Sequence, residues 1–251
     1  MSKLNNKVAI VTGASKGIGA SIAQYFAAEG AKVVVNYASS KEDAEKVVKA
    51  ITYNGGIAIA VQADVSVEAD VTKLFEATKN AFGTLDILVN NAGIYQYAPI
   101  EEALEESFHR QFNTNVLGSL FSIQAALKLF GEKGGNIINI SSGASNTPLP
   151  TGAVYSATKA ALDAITISLS KEFSGRNIRI NSILPGVVET EGSHSAGFIG
   201  SDFEAKLVAT TPLGRTGQPE DIAKVAVFLA SDDAGWITGE KISVSGGIYG
   251  I

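Results

Sequence analysis

The chain of 251 residues contains no cysteine, which excludes disulfides, thiolate nucleophiles and Cys-ligated zinc together. Histidine is almost as scarce. His109 and His194 stand far apart, so no histidine metal centre is expected. Positive charge is not in excess either: 20 Lys and Arg against 25 Asp and Glu leave a net charge of −5, with no long basic run. That argues against a nucleic-acid partner gripped through its phosphates. No window reaches the roughly 18 apolar residues of a membrane span. The opening Met1-Ser2-Lys3-Leu4-Asn5-Asn6 lacks the apolar stretch of a secretory signal. Charged residues make up 18%, below the roughly 25% of an average globular chain, while hydrophobic residues reach 45% and exclude wholesale disorder. A soluble, cytoplasmic protein without metal or membrane contact is the expectation.

What the chain does have is glycine, 26 residues with no collagen-like period. In an apolar chain these point to tight turns and close backbone approach to a ligand. Between them, short Val- and Ile-rich runs read as strands: Val8-Ala9-Ile10-Val11, Val33-Val34-Val35, Ile57 to Val61, Ile87-Leu88-Val89 and Ile137 to Ile140. Helices are predicted near 17–29, 40–53, 67–82, 101–131 and 153–174. Ser66 is placed as an N-cap with Glu68 and Asp70 in the first turn, and Gly30 as the left-handed residue after a helix end. Such alternation implies an α/β fold, doubly wound, with a central parallel sheet and helices on both faces, in one domain over 1–251. The Gly- and Ser-rich stretch from about 186 to 203 is too long for a plain connection and reads as a lid.

The first strand runs into Thr12-Gly13-Ala14-Ser15-Lys16-Gly17-Ile18-Gly19 and then a helix. Glycines there let the backbone approach a pyrophosphate, and the N–H groups of the helix start face it. The spacing departs from G-x-G-x-x-G, and a glycine turn can be only a turn, but its place after the first strand favours a dinucleotide. Ala63-Asp64-Val65 and Asn90-Asn91-Ala92-Gly93 sit at later strand ends; by themselves they read as a helix cap and a turn. Tyr155 and Lys159, four apart, share one helix face, and Ser142 lies just past a strand end. Reducing a ketone takes a hydride donor and a proton donor. Free tyrosine titrates near ~10, so holding Tyr155 near neutrality takes about 4 kcal/mol, much of it supplied by the Lys159 ammonium. Ser142 would donate to the oxygen as negative charge builds.

Taken together, Thr12-Gly13-x-x-x-Gly17-x-Gly19, Asn90-Asn91-Ala92-Gly93, Asn115, Ser142, Tyr155-x-x-x-Lys159 and Pro185-Gly186-x-x-x-Thr190 resemble the short-chain dehydrogenase/reductase family over essentially the whole chain. The similarity extends to Pro219-Glu220-Asp221 and to Ser245-Gly246-Gly247, where many members carry Asp-Gly-Gly. The resemblance implies a Rossmann-type domain with a substrate lid near 187–208 and a catalytic set of Asn115, Ser142, Tyr155 and Lys159. It implies that Asn115 holds a helix bend and a proton-relaying water, that Lys159 also binds the nicotinamide ribose, Asp64 the adenine and Thr190 the carboxamide. The remaining cofactor residues it implies are Gly13, Ser15, Lys16, Gly17, Ile18, Gly19, Tyr37, Ser39, Val65, Asn91, Ala92, Gly93, Tyr155, Pro185, Gly186 and Val188. Family members commonly form homotetramers, here through the long helices and the apolar ending Gly247-Ile248-Tyr249-Gly250-Ile251.

Cofactor choice turns on the end of the second strand. NAD-preferring members usually hold an acid there for the ribose 2′-hydroxyl. This chain has Asn36-Tyr37-Ala38 instead, with Ser39, Ser40, Lys41 and Lys16 near to receive a 2′-phosphate, which favours NADP(H) and does not exclude NAD(H). The expected substrate is a small-molecule ketone or secondary alcohol. Phe198, Ile199 and Phe203 in the lid tilt it toward a hydrophobic ketone over a sugar. The alternatives are a 3-oxoacyl-carrier-protein reductase, a glucose dehydrogenase, or a non-catalytic nucleotide sensor on the same fold. His109 and His194 are read as surface or lid residues, Trp236 as packing near the C-terminal strand, and Glu101 to Glu106 as a solvated helix start.

Overall fold

In the computed structural model, which describes residues 2–248, the first strand β1 (Val8–Val11) is buried on both faces. Val8 and Ile10 pack into one hydrophobic cluster, Ala9 and Val11 into another. The same division repeats along β2 (Lys32–Tyr37), β4 (Ile87–Asn90) and β5 (Gly135–Ile140), as strand alternation requires when both faces are covered. β3 (Ile57–Gln62), β6 (Ile178–Pro185) and β7 (Lys241–Val244) complete a seven-stranded sheet in the order β3-β2-β1-β4-β5-β6-β7, parallel throughout.

One face carries α1 (Gly17–Ala28), α2 (Lys41–Tyr53) and α9 (Pro219–Ala230), through side chains such as Phe26, Val47 and Ile222. The other carries α3 (Glu68–Phe82), α5 (Gly118–Leu129) and the end of α6 (Ala153–Glu172), through Phe75, Ile123 and Phe173. This is the doubly wound, Rossmann-like architecture expected from the alternating runs. The chain leaves β1 toward β2 and β3, then crosses back to β4 on the opposite side. That reversal opens a crevice at the carboxyl ends of β1 and β4, where ligands bind in sheets of this kind.

Several elements differ from expectation. The helix anticipated over 101–131 is interrupted: a 3₁₀ turn (Ile100–Glu102), α4 (Glu105–Phe112), a π turn (Asn113–Leu117) and then α5. The interruption centres on Asn115, whose side chain at the π turn is spent on Ile94 and Thr158, outside the helix. Ser66 does not cap α3. Its hydroxyl donates to Asp64 Oδ1 at 2.7 Å, and Val67 occupies the cap position. Trp236, expected to pack near the C-terminal strand, is fully exposed among the described residues, two residues beyond a short 3₁₀ turn (Asp232–Ala234). The Gly- and Ser-rich stretch from about 186 to 203, for which no helix was predicted, contains α7 (Glu191–Ser195) and runs into α8 (Asp202–Thr210). Gly30 does adopt φ +89° after α1, and Glu68 and Asp70 do lie in the first turn of α3. The expected burial of the ending falls partly outside the described residues, at Tyr249, Gly250 and Ile251.

The sheet centre is unusually polar. Asn90 Nδ2 donates to Asn139 Oδ1 (2.9 Å), Asn139 Nδ2 to Thr166 Oγ1 (2.8 Å), and Thr166 Oγ1 lies 2.9 Å from Ser182 Oγ. All four residues are buried, so the chain of bonds ties β4, β5, α6 and β6 together beneath the crevice. Asn139→Leu strips Asn90 of its acceptor and is expected to destabilise the protein by about 2 kcal/mol or more in urea unfolding; an unchanged midpoint would show that the network is dispensable.

Candidate active site

At the end of β1 the chain turns through Gly13 at φ +60°, where a Cβ would stand 2.8 Å from Ala92 Cα. Only glycine fits there. Asn36, fully buried at the end of β2, locks this turn: its Oδ1 accepts from Gly13 N (3.1 Å) and its Nδ2 donates to Ala63 O (3.0 Å). Thr12 Oγ1 accepts from the N–H groups of Asn91 and Ala92, each at 3.0 Å, and joins the turn to the loop after β4. Lys16 is extended at the N-cap position, and its own side chain makes no capping bond to the start of α1. A carboxylate reaches it from far along the sequence, with Gly17 N donating to Glu191 Oε2 at 3.0 Å. An anionic oxygen thus already sits at this helix start, where a phosphate is favoured by the same amides and dipole.

These residues line a cleft of about 380 Å³. It takes in Gly13, Ser15, Lys16, Gly17, Ile18, Gly19, Tyr37, Ser39, Asp64, Val65, Asn91, Ala92, Gly93 and Thr190. A second cleft of about 230 Å³ adjoins it and shares Ile18, Asn91, Gly93, Ile94 and Thr190. Ser142, Tyr155, Lys159, Pro185, Gly186 and Val188 line that second cleft. One continuous trough therefore runs from the glycine turn to Tyr155, a shape and lining that fit an extended dinucleotide.

Helix α6 carries Tyr155 and Lys159 on one face, and the Lys159 Nζ lies 5.8 Å from the Tyr155 ring centre. Lys159 is buried, with Nζ donating to Ile140 O at 2.9 Å. Burial pushes its ammonium down to about 8, only partly opposed by the Asp163 carboxylate one turn along. Ser142 heads a short 3₁₀ turn after β5, its Oγ accepting from Ala144 N at 3.1 Å. Asn115 is buried behind this group. Its Oδ1 accepts from Ile94 N, and its Nδ2 donates to Ile94 O, both at 2.8 Å, and to Thr158 Oγ1 at 3.0 Å. Among the residues expected at the site it does not line either cleft, but its Oδ1 lies 3.4 Å from where a Cβ at Gly93 would stand, as does Lys159 Nζ.

The outer wall was not foreseen in full. Phe198 and Phe203 line the second cleft as expected of the lid, but so do Tyr95, Tyr97 and Leu149. Tyr95, Tyr97, Tyr155 and Phe198 form a ring cluster with centroids 5.7–6.4 Å apart, and Phe203 extends it from Phe198 at 5.8 Å. Tyr95 and Tyr97 directly follow the Asn90-Asn91-Ala92-Gly93 strand end, and that position was the available signal. Asn36 and Glu191 offered none, since each acts on a residue distant in sequence. His109 and His194 are exposed and lie near Glu105 and Glu189.

A family profile described as enoyl-(acyl carrier protein) reductase matches residues 13–249. An uncharacterized oxidoreductase of Methylorubrum extorquens is 60% identical over 248 residues, covering 99% of this chain and 100% of that protein. The chain belongs to the short-chain dehydrogenase/reductase family. Versicolorin reductase of Emericella nidulans is 41% identical over 256 residues, covering 98% and 97%. The crystal structure of the angucycline C-6 ketoreductase LanV with bound NADP superposes with a TM-score of 0.93 at 38% identity, covering 99% and 97%. This short-chain dehydrogenase/reductase is accordingly a nicotinamide-dependent oxidoreductase acting on carbonyl or alcohol groups. No helix among its described residues is long and apolar enough to cross a membrane.

The buried Lys159 gives a stability signature. Its ordinary value is 10.5 and its folded value about 8. Between those two pH values the unfolded chain binds more protons, so stability rises with pH. Compared with Lys159→Met, the wild-type protein without ligand is expected to gain about 3 kcal/mol of unfolding free energy between pH 8 and 10.5. Parallel curves for the two proteins would show that Lys159 titrates normally.

Proposed function

We propose that this enzyme reduces a hydrophobic, ring-bearing ketone to a secondary alcohol with NADP(H). The observation that carries the reading is the place of Tyr155 and Lys159, at the junction of the dinucleotide-shaped trough and a cleft walled by aromatic rings. The nicotinamide, when bound, supplies the hydride that reaches the carbonyl carbon. Tyr155 gives its phenolic proton to the carbonyl oxygen, and the Lys159 ammonium beside it favours the phenolate left behind. Ser142 Oγ accepts from Ala144 N, which leaves its own proton to donate to the oxygen as charge develops. Asn115 keeps the segment after β4 and helix α6 in register. We assign Thr190, which lines both clefts, to the carboxamide.

The preference for NADP(H) over NAD(H) rests on Asn36-Tyr37-Ala38, which lacks an acid, and on Ser39, Ser40 and Lys16 lining the cleft where a 2′-phosphate would lie. The NADP-bound relative supports it. We assign the whole chain to one domain with a lid near 187–208, in the reducing cytoplasm, as its cysteine-free sequence favours. We further assign it to a homotetramer, supported by the exposure of Leu104, Phe108 and Leu117 around α4 and of Ile167 on α6.

The test is oxidation of NADPH and NADH in the presence of aromatic ketones, 3-oxoacyl thioesters and, in reverse, glucose. Turnover of the aromatic ketones with NADPH is expected, falling by ~10²–10⁴-fold in Tyr155→Phe with cofactor binding kept. Tyr37→Asp is expected to swing preference toward NADH. Activity confined to glucose oxidation, or a Tyr155→Phe enzyme within a few-fold of the parent, would overturn the reading.

A further inference from the structure

Tyr95 joins the two walls of the second cleft. It follows Ile94, whose N–H and carbonyl are both bonded to Asn115, so its backbone springs from the most firmly clamped point of the loop after β4. Its hydroxyl donates to Gly192 O at 2.8 Å, on the second residue of α7. Its ring meets Tyr155 edge-on, with centroids 6.1 Å apart and planes at 73°, and touches Phe198 at 6.4 Å. Partial burial raises the Tyr95 phenol above its ordinary 10, so it remains a donor across the working pH range.

The residue it grips is matched to it. A Cβ at position 192 would stand 3.3 Å from Tyr95 Oη, against 3.6 Å from Thr190 Oγ1, its only other near neighbour among the described residues. Gly192 lies within a helix at ordinary φ, where alanine is intrinsically preferred to glycine. The helix gains nothing from the glycine; the bond from Tyr95 does.

We propose that Tyr95 is a positioning residue that latches the lid: its hydroxyl holds α7 across the cleft while its ring braces Tyr155. The latch rests on the ketone-reductase reading, since it acts on how substrate is enclosed rather than on the chemical step. Losing a neutral hydrogen bond of this kind weakens ketone capture about three- to tenfold. The ring that braces Tyr155 survives in Tyr95→Phe, so kcat stays within about twofold.

The experiment compares the full-length parent with Y95F, G192A and the double variant by two readouts. One is amide hydrogen exchange across 191–197 in the presence of NADPH; the other is KM and kcat for a ketone the parent reduces. Y95F is expected to speed exchange in α7 and raise KM about three- to tenfold with kcat and the NADPH dissociation constant held. G192A should do the same in the parent and add less than about twofold in the Y95F background, because the clash it creates is with the missing hydroxyl. Unchanged exchange and KM in Y95F, or a G192A effect of equal size in both backgrounds, would overturn the latch. If the parent reduces no ketone, the ketone-reductase reading fails, and the exchange data still decide whether Tyr95 holds α7.

Discussion

A single carboxamide sets the geometry on which the rest depends. Asn115 spends its side chain on both backbone groups of Ile94 and on Thr158 of α6, and so fastens the loop after β4 to the helix that carries Tyr155 and Lys159. The helical path opens into a π turn at that residue. An amide buried without such partners costs several kcal/mol, so the three bonds and the turn stand or fall together. Everything on the substrate side descends from this clamp: the direction of Ile94, the position of Tyr95 after it, and the depth at which Lys159 meets Ile140 O.

The site holds its charges at some expense to the fold. Lys159 sits where burial disfavours its ammonium, and the network that runs from Asn90 through Asn139 and Thr166 to Ser182 replaces apolar packing with directional bonds. Such a network fixes one arrangement of strand ends rather than many. On the cofactor side the logic is reversed. The amides at the start of α1 are kept open by glycine and by an extended Lys16, and the carboxylate that reaches them, Glu191, comes from α7. Helix α7 thereby touches both halves of the trough, through Glu191 at the glycine turn and through Gly192 at Tyr95.

The sequence made the sheet legible wherever its strands were uninterrupted. Val8 to Val11 and Val33 to Val35 are apolar because both faces are covered, and such runs announce a buried parallel strand. β6 escaped notice because Asn181 and Ser182 break its apolar run, and only the fold supplies Ile237 O and Thr166 Oγ1 as their partners. The residues of 101–131 by themselves are compatible with a continuous helix, and only the family resemblance implied the bend at Asn115 that the π turn provides. Ser66 looks like a cap by type, but Asp64 claims it first. Trp236 reads by type as packing near the C-terminal strand, yet its side chain is fully exposed. In the trough, the cofactor residues that the family resemblance implied all line one cleft or the other, while the local signals of the residues themselves pointed only to the glycine turn. Asn36, Tyr95, Tyr97 and Glu191 were missed as site-shaping groups because their partners lie across the fold.

The claim that Asn115 holds the reacting groups in place is tested most directly by single-turnover hydride transfer in Asn115→Leu, measured with the ketone and NADPH both saturating. The substitution keeps volume and removes the donor and the acceptor together. The account predicts that the transfer rate falls by about 10²-fold, as a misplacement of about an ångström does, while NADPH still binds within a few-fold of the parent. A transfer rate equal to the parent's, with the cofactor bound, would contradict it.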